Sequence, residues 1–374
     1  MITLDDFAES FGEEPGYLDF AAAGPPGRAV KDEQYAQMGL LGRARFGTFE
    51  SLFEQDTRVR NAVSAVTGFR PDQIQFQPNA SMGLMHALFG LTGGMALSAA
   101  EFPSMTFATV RAAEALGVVT PVWIETDHGR MTPGTLKAQL TPAVAAVGVS
   151  LVDFRTGFLA DLEGIRQVIG DRLLIVDANQ GFGVVDAPFD VADVVVAGGQ
   201  KWVRAGWGTG FIAMSDHAAE TLTPVISGYT GTAADGMPLD EVPPPRTGVG
   251  AFQVTNPDPI AEARLAVALE EIAEVGISVI NQTVADRVTR IIDLADEYAI
   301  PVVSPRDLPE RAGMVVIEPP ADQLTVLTAS LFNHGVTTTT RDSRVRLSAH
   351  VSTDEETFDM LRASFVSFAS AIQV

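Results

Sequence analysis

Apolar positions along this chain alternate between two periods. From Pro71 to Met214, short β-branched and apolar runs take turns with stretches of helical spacing. The runs predict strands at 74–77, 95–98, 120–124, 145–152, 173–177, 194–197 and 210–213. Amphipathic stretches at 81–91, 107–116 and 162–169 predict helices between them. This alternation argues for an α/β fold with a mostly parallel sheet covered on both faces. In such sheets ligands lie at the carboxyl ends of the strands, where loops and helix N-termini converge.

A glycine- and proline-rich excursion, 227–250, interrupts the pattern. Beyond Asn256 the periodicity turns helical at 260–275 and 278–298. It continues with a strand (314–318), a helix (323–333), a strand (344–348) and a last helix (355–371). A chain of 374 residues suits one large and one smaller domain. We therefore expect an N-terminal segment (1–25) docking on the small domain, a large domain (26–255) and a small C-terminal α+β domain (256–374).

Composition narrows the function classes. An apolar fraction of 46% with 19% charged residues is that of a packed globular protein. The net charge of −22 excludes nucleic-acid binding through a basic face. No run of 18 uncharged apolar residues is present, so no membrane span is expected. There is no cysteine, hence no disulfide, thiolate metal site or cysteine nucleophile. The five histidines lack ligand spacing, and no metal is expected. The start, Met1-Ile2-Thr3-Leu4-Asp5-Asp6, lacks the basic patch and apolar run of a signal peptide, which leaves a cytoplasmic enzyme as the expectation.

The chemistry concentrates in a few places. An apolar run ends in Asp177, and twenty-four residues later Lys201 follows another such run, Val194 to Ala197. Pyridoxal 5′-phosphate (PLP) needs such a pair: a lysine that binds it covalently and a carboxylate that keeps its pyridine nitrogen protonated. Taken singly, a strand-end aspartate is often a cap and a lone lysine is usually solvated. Gln77-Pro78-Asn79-Ala80-Ser81-Met82-Gly83 opens a helix after a strand, a place for an anion such as a phosphate, although an ordinary N-cap reads the same way. Phe102 follows a strand where an aromatic ring could stack on a planar cofactor or simply join the core. Arg344 and Arg346 share a face of a short strand, and one could clamp a carboxylate or pair on the surface. No Gly-x-Gly-x-x-Gly turn follows an early strand, which disfavours a nicotinamide-dependent oxidoreductase.

With these motifs in this order, the chain resembles a fold-type-I PLP enzyme of the class V aminotransferase superfamily. That group includes cysteine desulfurases, kynureninases, isopenicillin-N-epimerase-like proteins and C–S lyases. The resemblance runs from Tyr17-Leu18-Asp19-Phe20-Ala21-Ala22-Ala23-Gly24 to Arg346-Leu347-Ser348-Ala349-His350. It implies a seven-stranded, mostly parallel sheet in the large domain. It also implies Lys201 as the Schiff-base lysine, with Asp177 on the pyridine nitrogen and Gln180 on the ring hydroxyl. Asn79, Ala80 and Ser81 would form the phosphate turn, Phe102 would stack on the ring, and Arg346 would take the substrate carboxylate. Phe252-Gln253-Val254-Thr255-Asn256 resembles the stretch through which Thr255 completes the partner's phosphate site, which implies a homodimer. A plain linker that caps the next helix is the other reading of that stretch.

The departures are informative. Phe102-Pro103-Ser104 stands where desulfurases stack a histidine, and Val152-Asp153-Phe154-Arg155-Thr156-Gly157 is kynureninase-like. The phosphate-contacting serine is Gly198, and the usual histidine before the lysine is Gln200. The expected activity is a class V aminotransferase or C–S-lyase-type reaction on an amino acid. A kynureninase-like hydrolase, an amino-acid epimerase and a PLP-binding scaffold without turnover are the alternatives.

Overall fold

The computed structural model describes residues 2–234 and 236–372. Met1, Gln373 and Val374, at the ends of the expected first and last segments, and Asp235 in the irregular excursion lie outside the described residues. The chain opens with α1 (Leu4–Glu9), α2 (Arg28–Arg43) and α3 (Thr48–Thr67). It continues through β1 (Ile74–Phe76), α4 (Ala80–Gly90), β2 (Gly93–Leu97), α5 (Pro103–Leu116), β3 (Val119–Trp123), α6 (Pro133–Gln139), β4 (Val144–Ser150) and α7 (Leu162–Ile169). Then follow β5 (Leu173–Asp177), β6 (Val194–Gly198), β7 (Gly210–Met214), α8 (Asp216–Thr221), α9 (Pro259–Val275) and α10 (Ile277–Glu297). The chain closes with β8 (Met314–Ile317), α11 (Leu324–Asn333), β9 (Thr339–Arg341), β10 (Arg344–Ser348) and α12 (Glu355–Ile372).

The first seven strands form one sheet in the order β1-β7-β6-β5-β4-β2-β3. Only β7 runs against its neighbours, β1 and β6. Strands buried on both faces read as continuous apolar runs, which is why 173–177 and 194–197 were legible. Their alternate side chains enter two cores. Leu174, Val176, Val195 and Ala197 pack with α7 and α9 through Ile165, Leu265 and Leu269. Leu173, Ile175, Val194 and Val196 pack with α4 and α5 through Leu84, Leu88 and Met105. Each fully buried valine, leucine, isoleucine or methionine among them contributes roughly 1.5–3 kcal/mol. The α4 face is tight: a Cβ on Gly83 would stand 2.8 Å from Val196 Cγ1, so glycine is what lets the helix reach β6.

The two N-terminal helices α2 and α3 escape the sequence reading. Half of the apolar side chains on α2 and α3 face outward, among them Tyr35, Met38, Phe49 and Phe53, which blurs the amphipathic contrast. The remaining strands form a second, antiparallel sheet in the order β8-β10-β9.

The N-terminal arm, residues 10–27, ties these parts together. Its backbone bonds Thr337 and Ser348 next to the second sheet, and Gly24 N–H donates to Gln200 O at 2.9 Å beside the large sheet. A Cβ on Gly24 would stand 2.1 Å from Lys201 O, so only glycine permits this crossing. Arg204 secures the junction. Its fully buried guanidinium pairs with Glu13, donates to Pro25 O at 2.7 Å and to Ser352 Oγ at 2.8 Å, and lies 3.6 Å from the Phe11 ring centroid. A buried charge stripped of its partner is costly. We expect Glu13→Ala to lower the unfolding free energy by about 3–5 kcal/mol, read from urea denaturation. A loss below about 1 kcal/mol would show that the junction does not depend on this pair.

Candidate active site

Two charged side chains meet at the carboxyl edge of the large sheet. Asp177 is the last residue of β5, and strand alternation puts it with Ile175 on the face covered by α4 and α5. Lys201 lies three residues beyond β6, in a turn closed by Gly199 N–H to Thr209 O (2.9 Å) and Ala205 N–H to Gly199 O (2.7 Å). The chain has three lysines. Lys31 on α2 and Lys137 on α6 are exposed, and Lys201 alone is buried.

Burial sets the electrostatics. It lowers the Lys201 ammonium to about 8; Asp177 opposes the shift, Arg346 and Arg341 add to it, and Asp19 opposes it. Burial pushes the Asp177 carboxyl up from its ordinary value, against the Asn179 N–H (3.0 Å) and the charge of Lys201. The Lys201 Nζ stands 5.5 Å from the centroid of the Phe102 ring, which meets the Phe154 ring edge-on at 5.2 Å.

An anion cradle opens onto the same face. Asn79 caps α4, its Oδ1 accepting the Met82 N–H at 3.0 Å, and the first-turn N–H groups of Ala80 and Ser81 point out of the helix end. Ser81 Oγ pairs with Ser104 Oγ at 2.7 Å, joining the starts of α4 and α5. Across the cradle, Asn179 Oδ1 accepts the Gly198 N–H at 2.9 Å. A Cβ at Gly198 would stand 2.3 Å from Gln200 Oε1, so the Gln200 carboxamide occupies the space that a serine side chain would need.

Other expected site residues have different surroundings. Gln180 donates to Ala21 O and accepts from Trp202 Nε1, both at 3.0 Å, so its two polar ends hold the N-terminal arm against the lysine turn. Thr255 is exposed and lines a cavity of about 400 Å³ with Gln77, Met82 and His86, next to the cradle. Arg346 makes only long contacts, to Thr339 Oγ1 (3.3 Å), Phe154 O (3.4 Å) and Asp19 Oδ1 (3.5 Å). Among the described residues its buried Nε has no acceptor.

Two acids were not singled out from the sequence. Glu101 is buried, accepts the Ser150 N–H at 2.9 Å, and burial pushes its carboxyl up to about 7. Ser150 is the register partner of Asp177, so a second carboxyl backs the site. Asp19 accepts from Thr339 Oγ1 at 2.8 Å beside Arg346. Only their three-dimensional neighbours set these acids apart from ordinary strand-end residues.

The donor set fits PLP. A buried amine can take its aldehyde, a buried carboxylate its ring nitrogen, and a helix N-terminus its phosphate.

Residues 19–243 match the family model described as Aminotransferase class-V. The fold is similar to the apo structure of a cysteine desulfurase from Thermococcus onnurineus NA1, at 20% identity over 96% of this chain and 95% of that one, with a TM-score of 0.83. It is similar also to the cystine C–S lyase C-DES in complex with its reaction product cysteine persulfide, at 19% identity over 94% and 97%, with a TM-score of 0.82. A cysteine desulfurase from Escherichia coli covers 100% of this chain and 99% of its own at 16% identity, again with a TM-score of 0.82. Identities this low make the likeness one of fold. No curated protein matches the chain.

The lowered Lys201 value has a direct readout. In cofactor-free protein, acylation followed by peptide mass spectrometry should show Lys201 becoming reactive with a midpoint near pH 8, below the ordinary lysine range. Since Asp177 favours the charged amine, Asp177→Asn should move that midpoint down. A midpoint in the ordinary lysine range would contradict the buried setting.

Proposed function

Since this chain belongs to the aminotransferase class-V family, we propose that it carries out an aminotransferase or C–S-lyase-type reaction on an amino acid. It is a PLP-dependent enzyme. The observation that carries the residue assignment is the burial of Lys201 within reach of the Asp177 charge, on a sheet whose Asp177 face α4 covers.

PLP, when bound, supplies a ring that accepts electrons from a substrate carbanion. The protein supplies position and proton transfer. Lys201 would hold the cofactor covalently until an amine displaces it. With its ammonium lowered to about 8, the freed amine can take the substrate α-proton and return it at another atom. Asp177 would set its carboxylate where the protonated ring nitrogen needs an anionic partner. The α4 cradle with Asn79, Ala80 and Ser81, closed by Gln200, would anchor the phosphate. Phe102 covers one side of the lysine with a ring that cannot donate a proton, which leaves proton traffic to Lys201. Arg346, with a free buried Nε, would fix the substrate carboxylate.

The chain has no cysteine, so a persulfide on its own thiol is chemically closed to it. Sulfur from any sulfur-bearing substrate would leave to solvent or a small acceptor. We assign the active form to a homodimer with Thr255 reaching the partner's phosphate site. Exposed Tyr35, Phe46, Phe49, Phe53 and Trp207 supply apolar surface for such an interface. Among the described residues no helix is long and apolar enough to cross a membrane, and we place the enzyme in the cytoplasm.

Lys201→Ala should lower turnover by at least about 10²–10⁴-fold. Borohydride reduction of the wild type should leave a pyridoxyl mass on the Lys201 peptide; a label on Lys31 or Lys137 would refute the assignment. With a panel of amino acids we expect either pyridoxamine phosphate plus a keto acid, or pyruvate with ammonia and a thiol. Solvent-deuterium uptake with inversion alone would select the epimerase alternative, and release of anthranilate from kynurenine the hydrolase. Sedimentation should show a dimer; a fully active monomer would refute the shared site.

A further inference from the structure

We propose that the substrate carries a second, carboxylate-sized anionic group held by Arg341, so that this site takes an acidic α-amino acid. The inference rests on the reading of the site given above and specifies its substrate class.

The β9–β10 hairpin reverses through Asp342 and Ser343, both at positive φ (50° and 63°), the two-residue turn that suits a tight hairpin. Arg344 pairs with Arg341 in the register, and Arg346 with Thr339. Directly opposed residues of an antiparallel pair share a face, so Thr339, Arg341, Arg344 and Arg346 all project from one side. Arg155 lines the same cavity from the segment after β4. Like charges directly opposite one another destabilise a hairpin unless anions lie between them.

The carboxylates of the chain neutralise most of this group. Arg344 pairs with Glu318 at 3.0 Å, Arg155 with Asp153 at 3.4 Å, and Arg346 with Asp19 at 3.5 Å. Among the described residues no carboxylate lies within ion-pair distance of Arg341. Asp342 reaches the cavity rim without pairing with it.

The geometry connects Arg341 to the lysine. Its guanidinium lies 5.9 Å from the Phe154 ring centroid, Phe154 meets Phe102 edge-on, and Phe102 faces the Lys201 Nζ. Arg341 and Arg346 flank a cavity of about 50 Å³, room for one carboxylate. The unpartnered Nε of Arg346 provides for the α-carboxylate, and Arg341 for the one at the end of the side chain.

Binding to the holoenzyme of succinate and glutarate, against acetate and propionate, tests this without turnover. Calorimetry should show the dicarboxylates binding at least about tenfold tighter. Arg341→Gln should cut that preference by about 10-fold or more, and Arg341→Lys should keep part of it, since it retains the charge and loses the planar fork. Arg341 is exposed, so neither change threatens folding. Equal affinity for mono- and dicarboxylates, or a preference that survives Arg341→Gln, would overturn the proposal. Spectral titration separates it from the reading it rests on. If L-alanine perturbs the cofactor spectrum as readily as L-glutamate and L-aspartate do, the PLP chemistry stands and the acidic-substrate inference falls. If the dicarboxylates bind through Arg341 while no amino acid alters the spectrum, the anion site stands and the activity assigned above falls.

Discussion

The buried guanidinium of Arg204 is the constraint on which the rest of this structure depends. It stands three residues after the lysine and binds Glu13 and Pro25 of the N-terminal arm together with Ser352 from the segment before α12. Three stretches far apart in sequence thus converge on the turn that carries Lys201. A cation buried among aromatic rings is stable only if every partner is in place, so the turn has one conformation or none. Gln180 adds a neutral tie between Ala21 and Trp202 in the same region. The lysine is therefore held from behind by the N-terminal arm as well as by the sheet that delivers it.

The sheet contributes direction. The two-residue period of β5 and β6 divides their side chains between two cores, and Asp177 inherits its facing from Ile175. The helices on that side bring the remaining parts: α4 its N-terminus with the N–H groups of Ala80 and Ser81, α5 the Phe102 ring at its N-cap. A helix dipole, a buried carboxylate and a desolvated amine then lie within one layer of the molecule.

Much of this was legible in the sequence for a physical reason. Strands buried on both faces read as unbroken apolar runs, and a charged residue at the end of such a run stands out, as Asp177 does. The seven strands, the helices α4, α5 and α7 between them, and the family follow from patterns with period and order, while the short α6 does not. What stayed hidden depends on contacts distant in sequence. Glu101 differs from any acid after a strand only because Ser150 and Asp177 lie beside it. Gln180 reads from the sequence only as a ring ligand, and its tie from Ala21, some 160 residues earlier, to Trp202 is visible only in the fold. Arg341 gains meaning only once hairpin pairing sets it opposite Arg344. Helices α2 and α3 were missed because their outward apolar residues serve no surface that this chain covers by itself.

The crowding at Gly198 has a consequence for how this sequence can change. The missing Cβ and the Gln200 carboxamide occupy the same space, so a side chain at 198 requires the carboxamide to turn aside. A lineage that moved to serine at 198 while keeping this glutamine would first force the carboxamide out of the cradle. One that shortened Gln200 first would leave a hole beside Asn179. The two positions are thus coupled through one flexible carboxamide, and the state of the cradle follows the rotamer of Gln200.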